Sequence, residues 1–176
     1  MDKSLSKWEF WGIPIISIVG SLLHFTFEWS GKLGFVGVFA AVNESVWEHF
    51  KIAFMPAFVY AIIEYFTLKK SRHNFWFAKA IGIYAIPIII GIIFYSYTAV
   101  IGHEILAVEI SSFIVAIALG QIISRKIILM KPMTGGMNTV GFMALMLLAL
   151  AFAVFTFYPL HFPVFLDGPT GTYGIN

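Results

Sequence analysis

The sequence predicts an all-α, polytopic transmembrane helix bundle of five spans, with a short interfacial or re-entrant segment between the first and the second. Three observations carry this. The 176 residues are 60% apolar and 11% charged, against roughly 45–50% and about 25% in a soluble globular domain. Mean hydropathy is +0.89. Stretches long enough to cross the hydrocarbon, about 20 apolar residues each, recur with only short connections between them, so the whole of 1–176 reads as one integral membrane domain in contact with membrane lipids.

The first span covers about 8 to 28. Lys3 and Lys7 before an apolar run resemble a signal peptide, but the run is long and carries His24 and Glu28 near its end, so a retained span is expected. The next apolar stretch, LGFVGVFAAV at 33–42, is too short to cross and suits a helix lying at the surface. The second span, about 44 to 68, opens behind Asn43, a suitable N-cap, with early glutamates that complement the positive helix end. Spans at about 76 to 99, 104 to 125 and 138 to 160 follow. The tail, 161–176, is rich in turn formers yet apolar, and is expected to fold back over the outer helix ends.

Lys69, Lys70, Arg72 and Lys79 flank one loop and Arg125, Lys126 and Lys131 another. The excess of Lys and Arg in cytoplasmic loops places both loops and the N-terminus inside, and the C-terminal tail outside a plasma membrane. Basic residues at helix ends, rather than in one patch, offer nucleic acid no footprint. Without cysteine there is no disulfide, thiolate zinc or cysteine nucleophile, so a metal ion would need His and carboxylate ligands. No internal repeat supports an inverted-repeat transporter.

Polar groups inside lipid must face protein or water. Ser17, Ser21, His24 and Glu28 recur at four, three and four residues, within one narrow arc of a helix turning about 100° per residue. The plain reading is a polar pair that helps helices pack. Glu44, Glu48 and Lys51 share a face, so Lys51 can neutralise a carboxylate, while His49 points elsewhere; an interfacial salt bridge with a snorkelling Lys51 is the plain alternative. His103 and Glu104 read as a solvated turn, Glu109 beside Ser112 as a supporting carboxylate, and Glu64 and His73 as interfacial partners of Lys69, Lys70 and Arg72.

A returning tail would bring His161 and Asp167 beside these groups. The expected metal ligands are therefore His24, His49, His161 and Asp167, suited to Zn²⁺ or another divalent ion. Glu48 or Glu28 would serve as general base, with Ser21, Asn43, Glu44, Lys51 and Glu109 in support or in contact with substrate.

The blocks HFTFEWSG (24–31), NESVWEHFK (43–51) and FLDGPTGTYGI (165–175) resemble a family of small bacterial multi-spanning membrane proteins of unknown function, with signatures NESxWEHxK and FxDxxTGTYGI. The resemblance implies that His24, Glu28, Asn43, Glu44, Trp47, Glu48, His49, Asp167 and Tyr173 are signature positions, and it adds Trp47 and Tyr173 to the supporting or substrate-contacting set. A looser analogy is to the ceramidase and progestin-receptor-like membrane hydrolases, with a buried zinc held by His near Ser and Asp. The present chain departs from them in having five spans rather than seven and no His-x-x-x-His pair.

Three functions stay open on the sequence. One is a metal-dependent hydrolase or lipid-modifying enzyme at the outer leaflet, taking a lipid or small-molecule substrate. Another is a transporter of a divalent cation or protons, which would need a polar path through a nearly apolar second span. The last is a non-catalytic accessory membrane protein.

Overall fold

The computed structural model of the chain describes residues 2–68 and 73–175. Six α-helices follow in order: α1 (Asp2–Trp29), α2 (Gly34–Gly37), α3 (Val46–Thr67), α4 (Phe75–Ile101), α5 (Leu106–Ile128) and α6 (Gly136–Phe157). All but α2 are long and apolar enough to cross a membrane. Lys69, Lys70 and Arg72, on which the predicted orientation partly rests, lie outside the described residues.

The five long helices alternate in direction. Backbone groups in hydrocarbon must be satisfied internally, which an α-helix does and which makes it the unit here. One proline sits inside each of α1, α3 and α4, at Pro14, Pro56 and Pro87, a substitution membrane helices tolerate when neighbours surround the freed carbonyl. The core runs through Ile16, Phe54, Ile86, Ile117, Leu145 and Phe152, one or two from each long helix. Large apolar side chains such as Ile18, Ile92, Ile122 and Leu147 face outward, as a lipid-facing surface requires.

Three boundaries differ from the hydropathy reading. The first helix starts six residues earlier than expected, because Leu5 is buried and Glu9 has a partner on α4, so tertiary contacts extend the helix below its apolar run. The cap of α3 is Ser45 rather than Asn43: its side chain accepts from the Glu48 N–H at 3.4 Å. Asn43 instead accepts from the Ser45 N–H at 3.0 Å, forming an Asx turn before the helix. The last helix ends at Phe157, two residues before Pro159, since the residue preceding a proline is pushed out of the helical region.

The apolar stretch after α1 holds only the four-residue helix α2 and returns against it, with the Ala41 N–H bonded to the Leu23 carbonyl at 3.2 Å. The tail lies on this same end of the bundle. Phe165, in a 3₁₀ turn, packs on Trp47 with ring centroids 4.8 Å apart. Asn43 Nδ2 donates to the Gly174 carbonyl at 2.9 Å, and the Glu44 N–H donates to Asp167 Oδ1 at 3.0 Å.

Candidate metal centre at one end of the bundle

Three elements converge where α1 ends, α3 begins and the loop between them turns. His24 is supplied by α1, one turn before its end, and His49 by the first turn of α3. Glu44 comes from the connecting loop. His24 Nε2 stands 3.4 Å from Glu44 Oε1 and His49 Nε2 stands 3.9 Å from Glu44 Oε2. The two imidazoles are tilted toward each other at 5.3 Å between centroids.

One donor atom from each of the three residues lies within 4.8 Å of the others. Donors around a tetrahedral zinc at ~2.0 Å would be roughly 3.3 Å apart, so the set needs only a small contraction to hold one ion. Its chemistry fits as well, two imidazoles and a carboxylate being ordinary ligands for Zn²⁺ and its neighbours.

The surroundings fix two of the three ligands. His49 Nδ1 lies 2.9 Å from the Ser45 carbonyl. A carbonyl only accepts, so in the neutral ring Nδ1 carries the hydrogen and Nε2 presents its lone pair toward Glu44. Metal-bound histidines are usually oriented through this kind of second bond. Glu44 is held through its backbone by Asp167, which is 4% exposed and also accepts from the Thr170 hydroxyl. The Glu44 side chain stays half exposed, so water and small solutes can reach the cluster.

Glu104 and Glu109 approach from the start of α5. Partial burial raises the carboxyl pKa of Glu104 above the usual range, and the negative charge of Glu109 raises it further, against the opposing pull of His49. Glu109 accepts from Tyr97 at 3.0 Å. Of this pair, the sequence pointed to Glu109 as a supporting carboxylate; Glu104 is exposed in the turn before α5, as its solvated-turn reading expects, and its charge still couples to His49. Ser45 was missed too, although Ser45-x-x-Glu48 has the spacing of a capping box that would have marked the helix start.

Several expected site residues lie elsewhere. His161 is exposed and lies against Tyr173, with ring centroids 4.6 Å apart and planes tilted by 48°, rather than joining His24 and His49. Asp167 holds the loop through the Glu44 backbone, and Glu44 takes the ligand position expected of Asp167. Glu28 is exposed and pairs with Lys32 at 3.6 Å, and Ser21 is exposed.

Glu48 is buried away from the cluster. Lys51 Nζ lies 2.5 Å from its Oε2, and the Val42 N–H donates to the same oxygen at 2.9 Å. Lys51 does not snorkel: it is fully buried, because the short loop of α2 and the end of α6 close over it. Trp47 is taken up by packing against Phe152, Phe155 and Phe165. Glu64 is likewise buried, paired with Lys79 on α4, so its expected interfacial pairing is replaced by an internal one.

In comparison with known families, the model of a family described as being of unknown function matches residues 1–175. No curated protein and no solved structure matches the chain.

Proposed function

The chain belongs to the DUF6512 family, whose function is unknown, and from its own geometry we propose that it is a metal-dependent membrane enzyme acting on a lipid or small molecule at the membrane surface. His24, Glu44 and His49 would hold a Zn²⁺ or similar divalent ion. The observation that carries this is the convergence of these three donors within 4.8 Å, with the second nitrogen of His49 already committed to Ser45.

Three protein ligands with a solvent-facing side are the pattern of a catalytic rather than a structural zinc. Such an ion supplies Lewis acidity and a water ionisable near neutral pH. The chain's own contribution would be to orient the ligands through Ser45 and Asp167, and to offer the Glu104 carboxylate as proton acceptor in place of Glu48 and Glu28. With Lys and Arg concentrated at the other end of the bundle, this end would face away from the cytoplasm.

The test is metal analysis of protein purified in detergent. One transition-metal ion per chain is expected in the wild type, with loss of at least nine-tenths of it in His24→Ala and His49→Ala and retention in His161→Ala. Metal-free wild type would remove the proposal. A stoichiometric metal with divalent-cation uptake into proteoliposomes, and no turnover of lipid, would replace the enzyme by a transporter.

A further inference from the structure

At the opposite end of the bundle lies a second polar cluster. His24 and Glu9 are 15 residues apart on α1, roughly 22 Å along a helix rising ~1.5 Å per residue. Glu9 on α1, Glu64 on α3 and Lys79 on α4 meet there, with side chains 3%, 0% and 1% exposed. Lys79 Nζ is 3.0 Å from Glu9 Oε1 and 2.5 Å from Glu64 Oε2. The Ser124 hydroxyl on α5 donates to Glu9 Oε1 at 2.9 Å.

Among the described residues, two carboxylates against one ammonium leave one negative charge unbalanced, and the other described groups nearby do not neutralise it. The Tyr60 hydroxyl on α3 donates to the Trp8 carbonyl at 2.6 Å, Arg125 on α5 donates to Ser6 Oγ at 3.0 Å, and Lys3 and Lys7 on α1 are exposed. α6 carries no ionisable Asp, Glu, His, Lys or Arg. Among the described residues, Glu9 Oε2 and Glu64 Oε1 are both buried without a hydrogen-bond partner.

An uncompensated carboxylate among buried helices is strongly disfavoured, and two carboxylates facing a single ammonium are not both left charged. A metal ion is not the natural occupant, because the Lys79 ammonium already fills the point between the two acids. We propose that Glu9 and Glu64 together hold one proton beside Lys79, making this a buried proton-binding site between the helices. The proton belongs to the pair rather than to either carboxylate alone. This site is separate from the His24 cluster and does not depend on the proposed function.

Infrared spectroscopy of the protein in lipid vesicles tests it. At pH 7 the wild type is expected to show the C=O stretch of one protonated carboxyl group, shifted in D₂O. Glu9→Gln and Glu64→Gln should each abolish the band, since one carboxylate then balances Lys79. Glu48→Gln and His24→Ala should leave it unchanged. Absence of the band from wild-type protein at pH 7 overturns the proposal whether or not the variants fold, and so does its persistence in both Gln variants.

Discussion

Lys51 has no exposed surface and three donors, and each finds an oxygen: Glu48 at 2.5 Å, the Gly37 carbonyl at 2.7 Å and Thr156 Oγ1 at 2.7 Å. One ammonium thereby joins the α2 loop, α3 and the end of α6. Removing one member of a buried ion pair leaves the other charge uncompensated, at a cost of about 3–5 kcal/mol. Lys51→Met is therefore expected to lower the thermal unfolding midpoint in detergent strongly. The double variant Glu48→Gln/Lys51→Met should recover most of the loss, because no isolated charge is then left behind. Equal destabilisation in the single and double variants would show that Lys51 acts through its carbonyl and hydroxyl partners instead. The spacing of Glu44, Glu48 and Lys51 announced that a lysine could neutralise a carboxylate. It did not reveal which one, since the choice depends on a loop and a helix distant in sequence.

Helices α4 and α5 form the most extensive pair in the bundle, and they meet through glycines. A Cβ on Gly120 would lie 2.7 Å from the Gly82 carbonyl oxygen, and a Cβ on Gly82 would lie 2.5 Å from the Gly120 carbonyl oxygen. Small residues let membrane helices approach this closely, and dispersion contacts then supply the stability that water would otherwise drive. Gly120→Val should force the helices apart and cost about 1–3 kcal/mol, as overpacked cores do. Ala118→Val, at a half-buried position of the same helix, should change the unfolding midpoint little. Ala116, Ala118 and Gly120 are small residues that allow close packing within or between chains. That Gly120 packs on α4 of its own chain emerged from the backbone path.

Across the whole molecule, the candidate metal centre depends on segments from both ends of the chain. Asp167 reaches the Glu44 backbone over a separation of 123 residues, and Asn43 reaches Gly174 over 131. Asp167→Ala should leave the five helices in place, by circular dichroism, yet weaken metal binding by about 10–100-fold, the usual effect of losing a group that orients a ligand. An unchanged dissociation constant against a competing chelator would show that the tail merely covers this end.

The five crossing helices, the short segment between the first two and the polar character of the His24 end were all legible along the chain. Each follows from a local requirement: a stretch of apolar residues long enough for the bilayer satisfies its own backbone hydrogen bonds, and a polar stripe shows in the spacing of neighbours. Which ionisable groups meet is a non-local matter. Packing alone put Glu44 rather than Asp167 between the two imidazoles, buried Glu48 against Lys51, and set Glu9 and Glu64 on either side of Lys79. A charge inside lipid must find a partner, and the partner is set by which helix faces touch.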